Sequence, residues 1–117
     1  MTNPEVREWY KQQVDRIPSM NEVWVSEGIG VEERAKRAWL MRHEARLLAR
    51  QMMEDPRQVE ELRNRDLEKY GNRDGPSFEY VVRQATELGL KGDKIYAAII
   101  EGSFITNADV NRRFKIE

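Results

Sequence analysis

The amino-acid sequence predicts an all-α fold, a single domain of five or six helices packed around one long central helix. Three observations predict it. Apolar residues recur at helical spacing along most of the chain, Gly, Pro and capping residues divide it into helix-length pieces, and no two strand-like segments are joined by a hairpin turn. The 117 residues suffice for one domain with a core of its own.

Residues 1–30 are expected to form an N-terminal helix and a connector. Pro4 suits the first position of a helix, where a missing N–H costs nothing, and we expect that helix to run to about Arg16, before Pro18. Ser19 stands three residues before a Glu, which is the spacing of a capping box and predicts a second, short helix. The Val-rich end of that segment could instead be extended.

The central helix is predicted over residues 31–54. These 24 residues contain neither Gly nor Pro and are rich in Ala, Leu, Met, Glu and Arg. At about 1.5 Å per residue the helix would be roughly 36 Å long. We expect its apolar side to face the core, with Ala45 and Leu48 buried. That side comprises Val31, Ala38, Met41, Ala45, Leu48, Ala49 and Met52.

Residues 55–117 are divided into C-terminal helices by recognisable start and stop residues. Their starts and ends are Asp55-Pro56 and Gly71, Ser77 and Gly89, Gly92-Asp93 and Gly102, followed by a last short turn that begins at Asn107.

Composition excludes several classes of protein. The chain has no Cys and one His, so it can hold neither a disulfide framework nor a thiolate or poly-His zinc site, and no EF-hand spacing occurs. Composition leaves sites for Mg²⁺ or Ca²⁺ built from carboxylates alone open, but no metal-ligand motif occurs, and we expect no metal and no cofactor. Lys and Arg number 20 against 21 acidic residues, which gives no bulk attraction to nucleic acid or to an anionic membrane. Neither a membrane-length apolar run nor a signal-peptide core is present.

A second side of the central helix carries the candidate functional residues. Trp39, His43, Arg46 and Arg50 fall within about 60° of each other, and Arg42 flanks them. In the functional interpretation the three arginines bind phosphate, His43 acts as general acid or base, and Trp39 stacks on a base or ring.

A structural interpretation of the same residues stays open. Arg46 and Arg50 would then pair with acidic residues of the following helix, while Trp39 and His43 fill a contact between helices. The acidic candidates are Glu60, Glu61 and Asp66.

Two further segments contain polar residues that chemistry could use. Asp66 and Tyr70 could transfer protons, although Asp66 and Lys69 have the spacing of an ordinary ion pair on a helix surface. The loop over residues 71–77 and the helix break over 102–107 carry hydroxyl and amide groups, yet turn formation and capping also explain these residue types.

Three stretches together resemble small C-terminal domains of bacterial polymorphic toxins, including Rhs-type proteins. They are EERAKRAW and RHEAR within residues 32–46, KYGNRDGPSF at 69–78, and the segment from Gly92-Asp93 to Thr106-Asn107. The resemblance implies a small domain that is delivered into competing cells, attacks nucleic acids or nucleotides, and is blocked by a dedicated immunity protein.

These observations favour a toxin-like bacterial effector domain that acts on a phosphate-bearing target, RNA or DNA, and in its most specific form a metal-independent RNase. His43 would be the general acid or base, and Glu44 or Asp66 a second proton-transfer group. Neighbouring positions on a helix point about 100° apart, which weakens His43 and Glu44 as a pair. The expected location is the cytoplasm, either of the producing cell or of a target cell after delivery, with no membrane partner.

The alternative is a non-catalytic helical interaction module, such as an immunity, adaptor or regulatory protein. Trp39 and Arg46 would then anchor a partner protein, because buried aromatic and Arg side chains dominate many interfaces.

Overall fold

A computed structural model of the chain describes residues 2–102, and within them six α-helices and no strand occur. The predicted all-α fold is confirmed. In chain order the helices are α1 (Asn3–Val14), α2 (Ile17–Ser26), α3 (Val31–Gln51), α4 (Pro56–Tyr70), α5 (Phe78–Glu87) and α6 (Asp93–Glu101). The predictions for the segment after Gly102, including the turn at Asn107, concern residues outside the described range.

Local sequence sets the helix ends in the second half of the domain. Asp55 accepts a hydrogen bond from the backbone N–H of Arg57 at 2.9 Å, and Ser77 accepts one from Tyr80 at 3.1 Å. Each satisfies an N–H that has no partner inside its own helix. Gly71 ends α4 in the left-handed region, with φ of 70°. The predicted caps at Asp55 and Ser77 and the stop at Gly71 are confirmed.

Three predicted boundaries in the first half were wrong. The first helix ends at Val14, two residues early, and α2 begins at Ile17, so Ser19 does not cap it. Pro18 lies in the first turn of α2, where no intrahelical bond is lost. The central helix ends at Gln51, three residues before the expected end at residue 54, and Met53 turns into the core.

The central position predicted for the long helix is confirmed. Helices α1, α2 and α6 pack directly on α3, and α5 packs on α6. Apolar side chains form three clusters along α3. Their buried members are Val6, Tyr10, Ala45, Ala49, Met53 and Leu62; then Ile17, Trp24 and Ala38; then Ala35, Val81 and Ile99.

The core-facing side of α3 consists of alanine and arginine. Ala45 is buried as expected, whereas Leu48 is 46 % exposed, so its predicted burial was wrong. The apolar pattern misjudged this side because arginine buries a long aliphatic stem together with a hydrogen-bonded head group. The buried residues of α3 are Ala35, Ala38, Arg42, Ala45, Arg46, Ala49 and Arg50.

None of the helices within residues 2–102 combines the length and the apolar composition that crossing a membrane requires.

Candidate functional site

Three arginines spaced four residues apart form a line along the inward side of α3. Arg42, Arg46 and Arg50 are 6 %, 3 % and 5 % exposed, respectively. Successive members of an i, i+4 series lie above one another on a helix. Each arginine reaches a different segment of the chain, and we call this set the arginine line.

Arg42 binds the C-terminal end of α6. Its Nη1 and Nη2 donate to the carbonyl oxygens of Ile99 and Ile100, both at 2.7 Å. Carbonyls in the last turn of a helix lack intrahelical donors and form the negative end of its dipole, so a guanidinium suits them. A Cβ added at Gly102 would stand 2.8 Å from Arg42 Nη2, and φ there is +76°. Gly102 therefore lets the chain pass directly over the guanidinium.

Arg46 binds the loop between α4 and α5. Its Nη2 lies 2.6 Å from Nδ1 of His43 and 3.3 Å from the carbonyl oxygen of Asp74. A Cβ at Gly75 would stand 2.9 Å from the same nitrogen, and φ there is +103°. The loop that the sequence offered as a functional segment is thus held against Arg46.

Arg50 joins α3 to α4. Its Nη1 donates to the carbonyl oxygen of Arg73 at 2.7 Å, and its Nη2 forms an ion pair with the carboxylate of Asp66. Both side chains of this pair are more than nine-tenths buried. The structural interpretation in which Arg50 pairs with Asp66 is confirmed.

The ring of His43 is half-buried between Trp39 and Arg46. It stacks on Trp39 with ring centroids 4.9 Å apart and planes 12° from parallel, and Trp39 meets Phe78 edge to face at 6.1 Å. Guanidinium groups only donate hydrogen bonds, so Nδ1 of His43 accepts from Arg46 and the neutral ring carries its proton on Nε2.

The surroundings of His43 favour its neutral form. Burial lowers the pKa of His43 below its ordinary value, and the positive charges of Arg46 and Arg50 lower that pKa further, while Asp74 opposes them. A neutral imidazole with a free Nε2–H can donate a hydrogen bond, and protonating it would break the contact with Arg46.

The structure brings some of the predicted site residues together and separates others. His43 contacts both Trp39 and Arg46, which the sequence placed on the same side of the helix. Glu44 is exposed and lines a groove on the other side of α3, and Asp66 is bound by Arg50. Neither carboxylate is recorded in contact with His43. Phosphate binding by the arginine line stays a prediction, and the contacts recorded for its guanidinium groups lead to carbonyls, His43 and Asp66.

Sequence reasoning missed the groove between α1 and α3, which has a volume of about 180 Å³. Leu48 lines this groove and is exposed, and Leu40, four residues before Glu44 on the same helix, is exposed as well. The four-residue spacing of these leucines from Glu44 is the feature of the sequence that could have indicated this surface. We call these residues the α1–α3 surface: Trp9, Gln13, Arg16, Leu40, Met41, Glu44, Ala45 and Leu48.

A second, wider depression of about 350 Å³ lies between α3, α5 and α6. Phe78, Val82 and Tyr96 supply its apolar wall, and two acidic and two basic side chains line the remainder. Of these, Glu32 and Lys36 already pair with each other at 3.8 Å. The depression therefore offers no concentration of one charge sign.

Within residues 2–102 no group of three or more His, Cys, Asp or Glu side chains is placed to hold a metal ion. Comparison of the chain with protein-family models, with curated proteins and with solved structures found no match in any of the three.

Arg50→Met should lower the free energy of unfolding by about 3–5 kcal/mol, because it leaves the Asp66 carboxylate buried without its cation. The matched control is Lys36→Met, on the same helix, which removes an exposed pair and should cost about 0–1 kcal/mol. Urea unfolding at neutral pH measures both variants. A cost for Arg50→Met no larger than that of the control would contradict the role assigned to this pair.

Stability should fall as the pH falls below about 6.5, the ordinary pKa of histidine. The folded state depresses the pKa of His43, so the unfolded chain binds more protons in this range and acidification favours it. The stability that His43 contributes by staying neutral is fully present above the pKa of the unfolded chain, about 6.5. His43→Gln keeps an acceptor for Arg46 and should lose less thermal stability than the wild type between about pH 7.5 and 5.5. Equal losses of thermal stability in the two proteins would contradict the assignment of this pH dependence to His43.

Proposed function

We propose that this chain is a non-catalytic helical interaction module that binds a partner protein through the α1–α3 surface. The observation that carries the proposal is the exposure of Leu40 and Leu48, 45 % and 46 % respectively, beside a groove on the outward side of the central helix. Large apolar side chains exposed near a groove and accompanied by charged residues are typical of interaction sites.

The composition of the groove supports this proposal. Trp9 and Met41 contribute large apolar side chains, and aromatic and Met residues are enriched at protein interfaces. Glu44 and Arg16 stand beside them and can fix the orientation of a partner. An aromatic side chain next to a groove is also the usual form of an energetic anchor.

The arginine line supports a structural role for the opposite side of α3. Arg42 and Arg50 each bind carbonyl oxygens at 2.7 Å through short hydrogen bonds. Turning either guanidinium toward an external phosphate would break these hydrogen bonds, each worth about 1.5–3 kcal/mol because the donor is charged. The net charge of −1 adds no compensating attraction to a nucleic acid.

A photo-crosslinking amino acid introduced at Leu48 should yield a covalent adduct with a protein in the native host, because this position would lie inside the interface. The matched control is the same amino acid at Leu88, which is 72 % exposed and lies just beyond α5, outside the α1–α3 surface. Gel analysis and mass spectrometry measure the adducts. Absence of any adduct specific to position 48 would overturn the proposed function.

A second candidate is the toxin-like effector that acts on RNA or DNA, and His43 is the observation that favours it. The ring is half-exposed and stacked on Trp39, and its Nδ1 could take a proton from a ribose hydroxyl once Arg46 turns from this nitrogen to a bound phosphate. A cognate immunity protein would be its partner, and delivery into the cytoplasm of a target cell its setting. Metal-independent RNA cleavage is the most specific form of this candidate.

Expression in bacteria tests the second candidate directly. If His43 is the general base, wild-type protein should arrest growth and degrade RNA, and His43→Gln should reduce cleavage by about 10²–10⁴-fold while remaining folded. Glu87→Gln, an exposed change at the end of α5, is the control that should retain full activity. Absence of growth arrest and of RNA or DNA cleavage by the wild type would exclude this candidate.

A further inference from the structure

The outward side of α3 carries a short stripe with the same residue type at both ends. Leu40, Glu44 and Leu48 follow one another at four-residue spacing, so they lie above one another along the helix. At about 1.5 Å per residue the two leucines are roughly 12 Å apart along the axis. Glu44 stands midway between them, which makes the stripe symmetric about its centre.

The groove beside this stripe contains one charge of each sign. Glu44 lines it from α3, and Arg16 lines it from the segment after α1. Among residues 2–102 no ion pair to Glu44 occurs, and the hydrogen bond recorded for Arg16 is a long one, 3.4 Å, to the neighbouring Gln13. Both charges are therefore available to a molecule that binds the groove.

We propose that the partner bound by the α1–α3 surface is a second copy of this chain, related by a two-fold axis that passes close to Glu44. This inference rests on the proposed function, because it names the partner of the same surface. The two α3 helices run antiparallel in this arrangement. Leu40 of each copy meets Leu48 of the other, and Glu44 of each copy reaches Arg16 of the other.

The symmetry of the surface favours a second copy over an unrelated protein. A two-fold interface uses the same patch twice, so the patch must be complementary to itself. A stripe with leucines at both ends and a groove that holds both an acid and a base satisfy this condition. Without Arg16, the two Glu44 carboxylates would approach each other near the axis and repel, so the ion pairs across the interface decide whether it forms.

Sedimentation equilibrium and light scattering of the full chain test the proposal over about 10 to 500 µM, since a contact of this small size belongs to the weak class. The expected result is a rise from 13.9 kDa toward twice that mass. Arg16→Glu and Glu44→Arg alone should each raise the dissociation constant at least about tenfold, because like charges then face each other. Combining both changes restores opposite charges and should bring the constant back to within about threefold of wild type.

Two further variants separate this interface from non-specific association. Leu48→Glu should abolish the dimer, and Leu88→Glu, equally charged but outside the surface, should leave it unchanged. A monomer at every concentration, a dimer that tolerates Leu48→Glu, or a double variant that stays as weak as its parents would each overturn the proposal. An adduct between position 48 and a different protein would also overturn it, while leaving the proposed function intact.

Discussion

Hydrogen bonds from the arginine line to distant backbone carbonyls hold this domain together. Arg42 fixes the end of α6, Arg46 fixes the loop before α5, and Arg50 fixes α4 through Asp66. Alanines separate these arginines on the same side of α3, so the neighbouring segments can approach closely and the guanidinium groups reach them. One helix thereby helps to set the position of three segments, in addition to the apolar clusters that join it to α4 and α6.

A core of this kind differs energetically from one filled with leucine. Burying a cation is costly, and burial indeed lowers the pKa of Arg42. The cost is offset where a guanidinium binds carbonyl or carboxylate oxygens, because hydrogen bonds from charged donors are about twice as strong as neutral ones. The geometry also leaves little room for a side chain at Gly75 or Gly102. Both residues have positive φ, and a Cβ added at either would lie against a guanidinium group.

Structural features that depend on residues close in the sequence were predicted correctly, whereas burial that depends on distant segments was missed. The caps at Asp55 and Ser77 act over two or three residues, and both were identified correctly. Burial of Arg42 depends on carbonyls 57 residues away, which no helical pattern reports. The apolar residues alone therefore predicted a core-facing side of α3 that is rotated about the helix axis from the observed one, and they assigned Leu48 to the core. The contact of Trp39, His43 and Arg46 was predictable because all three lie on one helix.

The contacts of the arginine line also imply an order of assembly. Arg50 and Asp66 are 16 residues apart, Arg46 and Asp74 are 28 apart, and Arg42 and Ile99 are 57 apart. Closing the longest of these loops costs about 1 kcal/mol more chain entropy than closing the shortest. Docking of α4 onto α3 is thus favoured early in folding and docking of α6 late. The order of assembly differs from the order of loss, because α6 packs on α3 more extensively than α4 does and is therefore expected to stay attached during partial unfolding.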